Sequence, residues 1–344
     1  MGDIISTGGI AAQPDSLDRR GREGRVGPPV SGYNPDIHPS RLEEARMFAS
    51  IRRGFGFLQQ AAEMAAKDPD LLKPSVYALI VGAATTLITG APIVIVAALM
   101  RDELAGQILM AALGAVALFL QYLVTYIFAG MTVRLVHDYL TQGDGRMDQA
   151  WAAVRRDLFD ILTLAAASAL VKLVENLLRG NRRDRRNAAG SILAGILDTV
   201  WTIATYFILP AMILEDLNLG QALKRATYIV KNNLLLVAVT EVGVGTVVGL
   251  IGFLLFLAAL ALGGGLFYAV AALAGWTTTA VILGAAAGIL VAGAILIVTT
   301  VLSSYVTTAY HTCLFLWARQ VEQARAQGRP DAAVAAPAPL AAVV

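Results

Sequence analysis

The chain has 344 residues, 57% of them hydrophobic and only 15% charged, with a formal net charge of +2 and a mean hydropathy of +0.64. Soluble domains carry about 25% charged residues, so this balance makes lipid the main solvent. So small a charge, with no Lys/Arg cluster interleaved with aromatics, leaves no basis for a nucleic-acid partner, and a single cysteine, Cys313, excludes an internal disulfide or a cysteine-based zinc site.

Residues 1–45 are rich in Gly, Pro, Arg and Asp and hold no apolar run of the kind a cleavable signal peptide needs. They read as a disordered cytoplasmic tail, ahead of a membrane domain over 46–325 and a disordered Ala/Pro-rich tail over 326–344. A hydrocarbon core of about 30 Å needs roughly 20 apolar residues in a helix. Six segments meet or approach this: 75–100, 106–130, 161–178, 191–214, 234–262 and 277–301. The third is short and carries Lys172 and Glu175, which makes it the weakest of the six.

Breaking signals separate these segments. Pro69 and Pro74 bracket the approach to the first, and Arg101-Asp102-Glu103 marks the first hairpin turn. Gln142-Gly143-Asp144-Gly145 ends the second segment, and the Arg-rich stretch 180–190 makes the second turn. Gly263-Gly264-Gly265 begins the third turn; the apolar run 266–274 beyond it is too short to cross and is expected to be re-entrant or interfacial. Three amphipathic, Lys/Arg-bearing stretches, 59–72, 147–158 and 221–234, each run into a pair of apolar segments. The expected fold is therefore all-α: a polytopic membrane bundle of about six transmembrane helices in three hairpins, each preceded by an amphipathic interfacial helix.

The Lys/Arg excess in short loops sets orientation. Arg52, Arg53, Lys67 and Lys73, then Arg134, Arg146, Arg155 and Arg156, then Lys224, Arg225 and Lys231, and finally Arg319 and Arg325 fall on one side. This places both termini in the cytoplasm of a plasma-membrane protein. The turn from Arg179 to Arg186 disagrees, because its five arginines fall on the outer side by the same count.

Ser168, Lys172, Glu175 and Arg179 share one face of the third segment, and Asp198 is the only charge on the fourth. Folding that hairpin about its turn brings Lys172 level with Asp198, either as a polar site inside the bundle or as a pair that fixes register. Glu241, about two turns into the fifth segment, has no local partner in the sequence and is the other intramembrane candidate. Three residues are assigned structural roles: Pro210 kinks the fourth segment, and Asn218 with Gln221 forms a reciprocal helix cap. Gly245-x-x-x-Gly249 and Gly284-x-x-x-Gly288 permit close helix approach. After the sixth segment Leu302, Tyr305, Ala309, Tyr310, Cys313 and Trp317 form an apolar stripe, with Tyr and Trp as interface anchors and Ser303, Thr307, His311 and Thr312 opposite.

The run from Tyr206 to Asp216, leading into Gln221-Ala222-Leu223-Lys224-Arg225-Ala226, resembles an uncharacterised family of prokaryotic six-span membrane proteins. The likeness covers roughly 55–319 and is most specific from Pro210 to Arg225, with Ala226 in place of the usual serine. A more distant resemblance is to the membrane domain of some glycerophosphodiester phosphodiesterases, whose catalytic domain is absent. The resemblance implies a helical bundle in a membrane and no known activity.

The sequence holds no nucleotide loop, metal-ligand spacing or nucleophile motif, so no cofactor and no catalytic residue is assigned and nothing argues for an enzyme. The expected partners are membrane lipids, anionic at the cytoplasmic face, with a membrane-protein partner or a second copy beyond them. The favoured role is a non-catalytic lipid-organising or complex-scaffolding subunit; the alternative is a transporter or permease-like subunit using Lys172, Asp198 and Glu241.

Overall fold

The computed structural model describes residues 39–100, 103–179, 188–232, 234–330 and 334–341, with side chains described for 52, 54–100, 103–179, 189–232, 245–330 and 334–341. The chain divides into two units, Met1–Glu43 and Glu44–Val344, and the second carries everything that follows.

A span in lipid must satisfy its backbone polar groups internally, so each long apolar run folds as a helix. Helix α1 (Pro39–Lys67) leads through a short 3-10 turn, Pro69–Leu71, into the hairpin α2 (Lys73–Met100) and α3 (Leu104–Gln142). The amphipathic α4 (Met147–Arg156) leads into α5 (Leu158–Arg179) and α6 (Ala188–Glu215), and α7 (Leu219–Asn232) leads into α8 (Leu234–Leu273) and α9 (Thr278–Ala326). One further turn, α10 (Ala338–Ala341), packs on α9. Six of these helices are long and apolar enough to cross a bilayer, and no strand occurs among the described residues. The fold is an all-α polytopic bundle of three hairpins, each with its amphipathic leader.

The densely buried part of the molecule sits at one end. Phe57, Ala61 and Leu71 from the first leader, Ala150 and Val154 from α4, and Ala222, Ala226 and Ile229 from α7 share one cluster with Leu135 of α3, residues 207–213 of α6 and residues 305–321 of α9. Phe57 meets Tyr310 edge to face at 5.4 Å, and the Tyr305 hydroxyl donates to the Ala61 carbonyl at 3.2 Å. The Asp68 carboxylate caps the 3-10 turn through Asp70 N at 3.0 Å and accepts from Gly145 N at 2.7 Å, pinning the first leader to the α3–α4 turn. A Cβ on Gly145 would stand 2.8 Å from that carboxylate, so the glycine is what admits it. Away from this end many apolar side chains of the spans face outward: Leu87, Leu99, Leu104, Leu273 and Leu290 are all largely exposed.

Lengths explain the division. Helices α3, α8 and α9 have 39, 40 and 49 residues, or about 58, 60 and 74 Å at 1.5 Å per residue. Each therefore outruns a hydrocarbon core of about 30 Å. The second half of α9 enters the common core, while its first half packs against α8. Because α4 and α7 lie in one core, α5 and α6 go out and return between them; α5 has 22 residues, enough to cross.

Three expectations change. The glycines 263–265 do not turn the chain: α8 runs through them to Leu273, and the turn comes at Gly275 and Trp276, with φ of 70° and 58°. Segment 266–274 is thus neither re-entrant nor interfacial but the continuation of α8 up to its last turn. Tyr305, Tyr310 and Trp317 are core residues rather than interface anchors, and His311 and Thr312 on the other face are buried as well, because α9 is surrounded here by α1, α3, α6 and the C-terminal segment. The C-terminal stretch is packed where it is described: Leu340 is fully buried, and the Trp317 indole donates to the Val334 carbonyl at 3.4 Å. Residues 1–38 of the expected N-terminal tail, and the arginines 182, 183, 185 and 186, lie outside the described residues; helix α1 already begins at Pro39.

Of the two glycine pairs, one is used. A Cβ on Gly288 would stand 2.5 Å from the Gly263 carbonyl oxygen, and one on Gly284 would stand 2.9 Å from the Phe267 carbonyl oxygen, whereas Gly245 and Gly249 face open space. Gly288→Ala should therefore force α8 from α9 and lower the midpoint of thermal unfolding in detergent by several degrees, while Gly249→Ala should not. Equal effects would contradict this packing.

Candidate functional site

Helix α5 presents Ser168, Lys172, Glu175 and Arg179 along one face because they recur at helical spacing. Glu175 is almost fully buried; Lys172 Nζ reaches its Oε2 at 2.7 Å and Arg179 pairs with its Oε1. Lys172 also meets Asp198 Oδ1 of α6, at a longer 3.4 Å. The Asp198 side chain is 47% exposed against 1% for Glu175, so the two carboxylates are unequally served. One turn along α5, Ser168 Oγ receives the Trp201 indole at 3.0 Å and shares a 2.8 Å hydrogen bond with the Tyr126 hydroxyl. That triad ties α3, α5 and α6 together.

Beside the network lies a crevice of about 420 Å³ between α3, α5 and α6, bordered by Tyr122, Tyr126, Lys172, Asp198, Trp201 and Thr202. Two more crevices adjoin it. One of about 350 Å³ lies between α2, α3 and α9 and carries Ser75, Thr86, Thr132, Thr300 and Ser304; the other, about 150 Å³, lies between α3, α6 and α9 beside Pro210 and His311. Thr125 borders all three, and Gln121 borders the two larger ones. The His311 ring stacks on Tyr206 at 3.6 Å between centroids. Among the described residues no three His, Cys, Asp or Glu side chains are placed to hold a metal ion.

A second network, which sequence reading did not assemble, closes the core end. Arg225 of α7 donates to Glu215 of α6 at 2.9 and 3.2 Å and pairs with Glu322 of α9 at 2.6 Å. The hydrogen bond to Glu322, followed by that to Glu215, holds the Arg225 guanidinium well above its ordinary pKa. Arg156, the last residue of α4, bonds its neighbour Asp157 at 2.7 Å and reaches Asp216, just past α6, at 3.3 Å, and the hydrogen bond to Asp157 is the main cause of its raised pKa. Asp216 takes φ of 55°, the left-handed conformation in which helices often end. Glu215, Arg225 and Glu322 are separated by 10 and about 100 residues, so no local spacing joins them.

Pro210 lies buried inside α6. Asn218 Oδ1 accepts from Gln221 N at 3.0 Å, and Gln221 Oε1 accepts from Asn218 N at 3.3 Å, which satisfies two otherwise orphaned donors at the start of α7. Glu241 falls in the helical backbone of α8, but its side chain lies outside the described residues. Of the four intramembrane candidates, then, Lys172, Glu175 and Asp198 are brought together.

Three apolar hairpins tied at one end by amphipathic helices define a multi-pass α-helical membrane protein. The chain belongs to the family of unknown function DUF6159, which matches residues 111–324. The match runs from α3 to the end of α9 and takes in the α5–α6 network, Pro210 and the Arg225 cluster, but leaves out α2. No curated protein matches the sequence, and nothing supports the more distant likeness to glycerophosphodiester phosphodiesterases.

Proposed function

We propose that this protein is a non-catalytic lipid-organising or scaffolding subunit of the cell membrane, with its packed end and both termini facing the cytoplasm. The observation that carries this reading is the construction of α4 and α7. Each buries one face in the common core and leaves cations next to large exposed apolar groups: Trp151, Arg155 and Arg156 on α4, Leu223, Lys224, Tyr228 and Lys231 on α7. The Arg155 guanidinium lies 5.0 Å from the centre of the Trp151 ring. A helix so divided suits the headgroup plane, its aromatic and aliphatic groups reaching the acyl boundary and its cations gathering anionic lipid. The core holds that pattern rigid, and the exposed flanks of the hairpins offer lipid or a membrane-protein partner a large apolar surface.

The cytoplasmic placement rests on the cations at the packed end, Lys67, Arg146, Arg155, Arg156, Lys224 and Lys231 among them. A second reading, a permease-like subunit, is favoured by one observation: the three crevices meet at Thr125.

Reconstitution tests the first reading. In vesicles of mixed phosphatidylglycerol and phosphatidylethanolamine the protein should enrich phosphatidylglycerol around itself. Arg155→Gln, Lys224→Gln and Lys231→Gln combined should cut that enrichment at least tenfold, since each surface cation contributes about 1 kcal/mol. No change in enrichment, or protein-dependent flux of small solutes, would favour the permease reading instead. For orientation, Cys313 is buried, so cysteines introduced at the exposed Asp144 and Ala274 report alone; an impermeant thiol reagent applied outside intact cells should label only the second, and the reverse result would invert the topology.

A further inference from the structure

We propose that the crevice between α3, α5 and α6 binds an ammonium-bearing polar headgroup, the ammonium on Asp198 and the phosphate toward Lys172. The proposal rests on the lipid-organising reading and names a ligand class for one place in the bundle.

Three observations converge. The first is the charge distribution. Glu175 takes the close contacts of both Lys172 and Arg179, whereas Asp198 keeps one contact at 3.4 Å and stays about half exposed. Its Cα lies ten residues into α6, about 15 Å along the axis, and exposed Leu193, Ile196 and Val200 on the same helix mark this stretch as lipid-facing. A carboxylate at that depth requires a cation or hydration to stay ionised, and Lys172 is held first by Glu175.

The second is the chemistry of the walls. Tyr122 and Tyr126 stack at 5.8 Å between centroids, and both border the crevice together with Trp201. Aromatic faces beside a carboxylate favour an ammonium over a metal ion or a neutral group. Thr125, Thr202 and Thr205 add hydroxyls, and the Lys172 ammonium lies on the same rim as Asp198. Cation and anion 3.4 Å apart, both open to the crevice, form a dipole that matches a zwitterion.

The third is size. The Tyr126–Ser168–Trp201 hydrogen bonds tie the crevice's three walls to one another, and its volume of about 420 Å³ falls within the roughly 300–1,000 Å³ usual for small-molecule sites. The surrounding face, with Leu170 and Val174 of α5 exposed, borders the bilayer, so acyl chains could remain outside while the headgroup enters.

The same ammonium chemistry is offered by phosphatidylethanolamine and by free small amines. The full chain would be placed in nanodiscs of phosphatidylethanolamine and phosphatidylglycerol, washed into detergent, and its retained lipids counted by mass spectrometry. Wild-type protein should retain phosphatidylethanolamine. Asp198→Asn should lose at least tenfold of it while keeping the phosphatidylglycerol held by α4 and α7, with an unchanged unfolding temperature. Should that variant fail to fold, Tyr122→Leu, which removes an aromatic wall and leaves the ion-pairing side chains in place, should lose severalfold.

Displacement by millimolar ethanolamine or phosphoethanolamine would assign the site to a free amine; resistance to both assigns it to the lipid, and either keeps the ammonium on Asp198. Phosphatidylethanolamine retention that Asp198→Asn and Tyr122→Leu leave unchanged would overturn the proposal. Loss of phosphatidylglycerol enrichment in the wild-type sample would overturn the broader lipid reading separately.

Discussion

Everything in this molecule depends on the apolar core built at one end from the three amphipathic leaders and the second half of α9. Between spans, lipid tails are as apolar as the side chains, so helix contact within the bilayer gains little from burial. Where helices emerge toward water the hydrophobic effect operates at about 25 cal/mol per Å². The chain concentrates its large buried side chains there: Phe57, Leu71, Leu135, Phe207, Met212, Tyr305, Tyr310 and Phe315 are all nearly inaccessible. The ion pairs of Arg225 and Arg156 lie at the edge of the same region and bind α4, α6, α7 and α9 to one another.

Because that end holds the hairpins to one another, one hairpin needs little contact with the next in the far halves, although α8 and α9 of the same hairpin approach closely at Gly263 and Gly288. Crevices result, and they are lined with polar groups because hydroxyls can bond within their own helices: Thr86, Thr125 and Thr300 each donate to a carbonyl four residues back. The α5–α6 hairpin adds charge to this arrangement. Its ions sit beyond the Ser168 triad, on the side away from the core, so they are not needed to hold the leaders in place. The network thus lies outside the stabilising core and beside a crevice, and it serves its two carboxylates unequally, Glu175 closely and Asp198 at 3.4 Å.

The sequence made the hairpins and their leaders legible, because apolar length and amphipathic period are local properties. Lys172 and Asp198 could be placed level for the same reason, being nearly equidistant from one turn. The glycines 263–265 misled, since in lipid a helix keeps its hydrogen bonds through residues that would break it in water, and here glycine serves the approach of α8 to Gly288. Tyr305, Tyr310 and Trp317 misled because an amphipathic stripe near a membrane boundary looks alike whether it meets headgroups or protein. Glu215 with Arg225 and Glu322, and Asp68 with Gly145, depend on the tertiary fold, and no spacing in the chain announces them.

The central claim is that most of the stability resides in the packed end rather than in the outward-facing side chains of the spans. The most direct measurement compares reversible unfolding of Phe57→Ala and Leu99→Ala in the same detergent. Phe57 is fully buried against Tyr310, and Leu99 is 76% exposed on α2. The account predicts a loss of about 3–5 kcal/mol for Phe57→Ala and a nearly neutral Leu99→Ala. Equal losses, or a larger one at Leu99, would contradict it.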